Sequence, residues 1–119
     1  MNTPADFQFL SISRAMEFIA DEAGVMSLLH TLRQTLSEDL PHIEQALAAG
    51  DVAGANQWLH QLKGFTPVFC TDALVAQVVH VEGLSKRASA QEVREAYAVL
   101  APQLSGLLAE VDRHIAAQP

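Results

Sequence analysis

The chain has 119 residues, half of them hydrophobic, with a formal net charge of −7 and a single cysteine. That length sets one domain, 1–119, with enough apolar material for its own core, and one cysteine excludes an internal disulfide. The acidic balance excludes nucleic acid and anionic membrane as partners, which demand clustered positive charge; no apolar run approaches the ~18 residues of a membrane span and no leader-like start is present, so a soluble, cytoplasmic protein is expected.

Everything periodic along the chain has a helical period. Thr3-Pro4-Ala5-Asp6 reads as a helix start, with Thr3 as N-cap and Pro4 at the first helical position. A short helical segment follows from about Ser11 to Asp21, with Ile12, Met16, Phe18 and Ile19 as its apolar set, and Gly24 punctuates. Val25, Leu28, Leu29, Leu32, Leu36, Leu40, Ile43 and Leu47 then recur at three- and four-residue steps, which predicts a long helix over about 24–49. Pro41 deletes one backbone hydrogen bond inside it and should bend the helix rather than end it, because the stripe continues beyond.

Gly50 closes that helix and Asp51 caps the next. On a wheel of 100° steps, Ala55, Trp58, Leu59, Leu62, Phe65 and Phe69 fall on one side of this third helix. Asn56, Gln57, His60, Lys63, Gly64 and Pro67 fall on the other. Pro67 should fray or bend its last turn. Thr71-Asp72 caps a fourth helix carrying Leu74, Val75, Val78 and Val81. Ser89 and Glu92 form a capping box that opens a last helix with Val93, Tyr97, Leu100, Leu104, Leu107, Val111 and Ile115, kinked at Pro102. With no strand-like alternation and short connections, these elements predict an all-α fold: an antiparallel up-and-down four-helix bundle with an additional N-terminal helical segment across one end.

The chemistry concentrates in His60-Gln61-Leu62-Lys63-Gly64 on the polar face of the third helix. A histidine is mostly neutral near pH 7, hence nucleophilic, yet readily charged. Lys63 at i+3 and Gly64 at i+4 are its helical neighbours. The lysine brings positive charge to the imidazole and the glycine leaves it uncrowded. A mid-helix glycine costs about 1 kcal/mol against alanine, and Gly64 projects to the polar side, so helix packing does not account for it. The remaining histidines, His30, His42, His80 and His114, lack metal-ligand spacing and read as boundary or surface residues. Glu82 reads as a solvated residue rather than an acid catalyst. Cys70 has no cationic neighbour in sequence and reads as a small buried hydrophobe, and Met16 and Met26 read as core. No Gly-rich phosphate loop or Gly-x-Ser-x-Gly turn supports a kinase or a serine hydrolase.

His60, Leu62, Lys63 and Gly64 match the His-x-Leu-Lys-Gly signature of the histidine phosphotransfer (Hpt) domain, which the chain resembles over about 12–115. Ala46-Leu47-Ala48-Ala49-Gly50-Asp51 is similar to the segment preceding that family's active helix. Leu74, Val78 and Val81-Glu82 follow the spacing of its next helix. The chain departs from the pattern at Phe65-Thr66-Pro67, where the family has small residues, and at Cys70, where it often has glycine. The resemblance implies a phosphorelay carrier, and a monomer is expected because one bundle contains all the parts. His60 would accept a phosphoryl group from a response-regulator receiver aspartate and donate it to another, with Lys63 as electrostatic support and Gly64 as clearance for the partner. Gln57, Gln61 and Pro67 are the expected docking rim. No intrinsic cofactor or metal is expected: Mg²⁺ would come with the receiver. Partners would be receiver domains and a hybrid sensor histidine kinase. The rival readings are an adaptor that keeps the fold and binds a receiver or kinase without phosphotransfer, and a bundle that binds metal or cofactor, which paired ligands would have to support.

Overall fold

The structure, a computed structural model, describes residues 7–117, so the helix start read at residues 3–6 lies outside the described residues. The helices are α1 (Ile12–Phe18), α2 (Glu22–Ala48), α3 (Val52–Phe69), α4 (Asp72–Leu84) and α5 (Ala90–Ala116). Among the described residues there is no strand, only one isolated antiparallel bridge between Leu10 and Cys70. α2 and α4 each pack against both α3 and α5. That closes the up-and-down four-helix bundle, with α1 as the extra N-terminal element. Leu29, Leu36, Ile43, Leu59, Leu62, Val78, Leu100, Leu104 and Leu107 fill its centre. No helix among the described residues is long and apolar enough to cross a membrane.

Local chemistry sets the helix ends. Asp21 accepts a hydrogen bond from the Gly24 amide at 3.2 Å, so α2 begins at Glu22 and Gly24 lies in its first turn rather than before it. Gly50 stands just past the α2 C-cap with φ of 74°, a conformation that costs glycine nothing. The Asp51 carboxylate then caps the Gly54 amide at 2.9 Å, and Ser89 with Glu92 forms the full capping box of α5. Thr71 occupies the N-cap of α4 but its side chain caps nothing. Its hydroxyl donates to the Gln8 carbonyl instead, at 3.2 Å.

All three interior prolines are carried inside helices. The fraying expected at Pro67 does not occur. The helix holds to Phe69, and the Cys70 amide still reaches the Thr66 carbonyl at 2.9 Å. Thr66, Phe69 and Cys70 are all buried, and this packing outweighs the one bond a proline removes. Phe18 also departs from expectation, being 64% exposed while Ala15 is the buried residue of α1. At 100° per residue Phe18 lies about 110° around the helix from the Ile12, Ala15 and Met16 face.

α2 and α5 have 27 residues each, against 18 in α3 and 13 in α4. At 1.5 Å per residue the long pair reaches about 40 Å and outruns the short pair. Residues 7–11 and α1 occupy that step. The Ser11 amide donates to the Phe69 carbonyl and the Thr71 amide to the Phe9 carbonyl. The buried carboxylate of Glu110 on α5 takes three backbone amides at once: Gln8, Phe9 and Leu10, at 2.8–2.9 Å. Gly106, one turn earlier, gives the Phe9 ring its room, since a Cβ there would stand 2.5 Å from it. Removing the Glu110 acceptor by Glu110→Ala should lower stability by about 1.5–3 kcal/mol in urea denaturation. It should also speed alkylation of Cys70, which is buried and bridged by Leu10 of this segment. Unchanged stability and alkylation would mean that the carboxylate does not hold the segment down.

Candidate functional site

α3 places His60 outward and Leu62 inward, as the wheel requires. The His60 side chain is 64% exposed, while Leu62 is fully buried. From the neighbouring helix α4 comes Glu82, whose side chain is only 2% exposed. This corrects the reading of Glu82 as a solvated residue. It lies on the apolar stripe of α4, four residues after Val78 and next to Val81, and so points into the α3–α4 seam.

Four groups donate to this carboxylate. Oε1 faces the Lys63 ammonium at 3.3 Å. Oε2 faces His60 Nδ1 at 3.4 Å, the Lys86 ammonium at 3.2 Å and Asn56 Nδ2 at 3.2 Å. Burial alone would push the Glu82 carboxyl up, but the hydrogen bonds from Lys86, Lys63, Asn56 and His60 outweigh it and hold it down at about 2. An ionised carboxylate only accepts. His60 Nδ1 must therefore carry the proton, which leaves the lone pair on Nε2 of an exposed ring.

The fold thus brings His60 and Lys63 together through a residue the sequence pattern left aside. Asn56, on the same flank of α3, also ties down the turn after α4, reaching Ser85 Oγ at 2.8 Å. Gly64 is exposed, and a Cβ there would meet nothing within 4 Å. No packing partner inside the chain requires the glycine, and the space beside His60 stays open to an incoming group. Gln57 and Gln61 are exposed, about 60° and 100° around α3 from His60 on the side facing α2, while Pro67 is half-buried on the α4 side. The expected docking rim therefore straddles His60 rather than forming one strip. On the α2 side, Phe65 and Val68 border an apolar groove of about 160 Å³ with Leu28, Leu32 and Thr35.

The other candidates stay away from this cluster. His42 stacks on Trp58 with ring centroids 4.5 Å apart. Cys70 is buried, and burial pushes its thiol up to about 12 against the pull of Arg14. That arginine, invisible to a search of Cys70's sequence neighbours, hydrogen-bonds the Cys70 carbonyl at 2.9 Å. Among the described residues, no group of three or more His, Cys, Asp or Glu is arranged to hold a metal ion.

The Hpt domain family matches residues 27–114, which run from the second turn of α2 through most of α5 and contain the whole Glu82 cluster. No curated protein and no solved structure matches the chain.

The depressed Glu82 carboxyl has a signed consequence for stability. Its folded value of about 2 lies below the ordinary 4.5, so ionised Glu82 favours the folded state, fully above about pH 5. The contribution is lost as pH falls from about 4.5 toward 2. The stability difference between wild type and Glu82→Gln, followed by thermal unfolding, should therefore be widest near neutrality and shrink steadily across that window. A difference that stays constant down to pH 2.5 would show that the carboxylate charge is not what the four donors recognise.

Proposed function

The chain belongs to the Hpt domain family, and from that premise we propose that His60 is the residue through which it carries phosphoryl groups in a two-component phosphorelay. Family membership gives the role, histidine phosphotransfer, and the general class of partner, receiver and kinase domains. The assignment to His60 rests on one observation above others. This histidine is exposed at the ring while its Nδ1 is engaged by the buried, ionised Glu82.

The chemistry follows from that tautomer. The Nε2 lone pair attacks the phosphorus of a receiver phosphoaspartate. The Nε2–P bond forms as the P–O bond to the aspartate breaks, and its electron pair remains on the released carboxylate. The Nδ1 proton stays in place, so the ring becomes an imidazolium whose charge faces Glu82. Transfer to a second receiver aspartate runs the same step backwards. Lys63, one helical turn from His60, offsets charge on the phosphoryl oxygens, and Gly64 leaves the approach open. Gln57, Gln61 and Pro67 are the proposed rim for receiver docking, with a hybrid sensor kinase as the upstream source. Mg²⁺ is assigned to the receiver and not to this chain.

Incubation with a panel of phosphorylated receivers and Mg²⁺ should produce an acid-labile, base-stable adduct, and His60→Gln should abolish it. That substitution should lower stability by no more than about 1 kcal/mol, the scale of one hydrogen bond, because Glu82 keeps its other three donors. A panel is needed because one silent pairing could reflect partner specificity. If receivers bind the protein but none labels it, the domain is an adaptor and the carrier assignment fails.

A further inference from the structure

The chain has two lysines, Lys63 and Lys86, in a protein of net charge −7. Both ammonium groups rest on the same carboxylate, Glu82, at 3.3 Å and 3.2 Å. Lys63 belongs to the recognised motif. Lys86 does not: it lies beyond the end of α4, four residues after Glu82. The turn that carries it is tied down. The Lys86 amide donates to the Gly83 carbonyl at 3.2 Å, and the Ser85 hydroxyl to the Glu82 carbonyl at 2.6 Å. Arg87, next along, spends its guanidinium on the Gly83 carbonyl and not on Glu82.

We propose that Lys86 is a positioning residue of the site: by neutralising Glu82 it releases Lys63 to serve the phosphoryl group on His60. The proposal rests on His60 being the phosphoryl carrier, as above. Its logic is a division of charge. With neutral His60, Lys63, Lys86 and Glu82 together carry one net positive charge. Without Lys86, Lys63 and Glu82 cancel, and Lys63 stays paired with that carboxylate. An incoming phosphoryl group of up to two negative charges would then meet a site with no net positive charge, and after transfer, with the imidazolium counted, the site would keep an excess negative charge that Lys86 otherwise cancels. Lys86 is well placed for this task, being four residues after Glu82 in the turn that follows α4 and bonded to Oε2, the oxygen that also accepts from His60 Nδ1. Lys63 bonds the opposite oxygen, Oε1, and stands one turn from His60 on α3. It can leave Glu82 without uncovering the oxygen that orients the imidazole. Lys86 is 53% exposed, so its replacement removes no packed side chain from the core, and Glu82 keeps three donors.

The test uses phosphoramidate, a small donor that needs no receiver. The His60 imidazole displaces ammonia from it, forming the N–P bond as the donor's own P–N bond breaks. Lys86→Met should slow labelling of His60 or shorten the life of the adduct roughly two- to fivefold, the scale of one partly exposed charge. Lys86→Arg should restore it, and the defect should disappear in a Glu82→Gln background, where there is no carboxylate to neutralise. A wild-type rate in Lys86→Met would reduce the residue to a surface ion pair. A defect that persists beside Glu82→Gln would place Lys86 on the phosphoryl itself and overturn the positioning role. A second measurement stands apart from phosphorylation. With only one lysine left in Lys86→Met, the Lys63 ammonium gives a single side-chain nitrogen resonance, and its motion should slow as it takes over Glu82. Failure of His60 to label would count against the carrier assignment, whereas unaltered Lys63 motion would count against Lys86.

Discussion

A carboxylate can sit inside a helical bundle only if donors surround it, because an ion stripped of water is too costly to leave bare. Glu82 meets that condition by drawing Asn56, His60 and Lys63 from α3 and Lys86 from the turn after α4. The same contacts that make its burial tolerable orient the imidazole and choose which of its nitrogens keeps the proton. Structure and chemistry are thus not separate features here. The contacts that satisfy Glu82 in the seam between α3 and α4 are the same ones that hold the His60 ring.

At the other end of α3, a second buried carboxylate does an equivalent task with backbone donors. Glu110 gathers three consecutive amides of the N-terminal segment, which has no helix or strand of its own to satisfy them. α5 thereby supplies the hydrogen bonds that let an irregular stretch lie over the step left by two short helices. Asp39 on α2 is a third acid on an apolar face, and there burial pushes the carboxyl up, with the nearby His42 only partly opposing it.

Much of this was legible in the chain, and the limit has a physical cause. Leu29, Leu36 and Ile43, or Leu100, Leu104 and Leu107, announce helix faces because hydrophobic spacing is a local property. The caps at Asp51 and Ser89 were equally readable, since each acts within three residues. Glu82 and Glu110 were not. Each sits on its helix's apolar stripe, beside Val81 and Val111 respectively, and that position was the available signal. Yet a charged residue on a stripe announces burial only when its partners are known, and those partners come from other elements. The prolines mark the same boundary from the other direction. Pro67 predicts a frayed turn if only local bonding is counted, and an intact one once the burial of Thr66, Phe69 and Cys70 is included. Among the candidate site residues, spacing marks His60, Lys63 and Gly64, whereas the meeting of Asn56, Glu82 and Lys86 with them emerges only when α3 and α4 lie side by side.

The concentration of both lysines at one carboxylate also changes how the protein will behave as a reagent. On most proteins, side-chain amines are scattered, and acylating dyes, cross-linkers or resin coupling land at many harmless places. Here every lysine-directed reaction is a reaction at the Glu82 cluster, beside the proposed phosphoryl carrier. A fluorophore or a solid support attached through a lysine would sit beside His60 and strip a cation from Glu82. Cys70 offers no easy alternative handle, being buried with its thiol pushed up to about 12. A label meant to leave the site intact therefore needs an engineered anchor on a remote exposed position, such as Val99 on the outer face of α5.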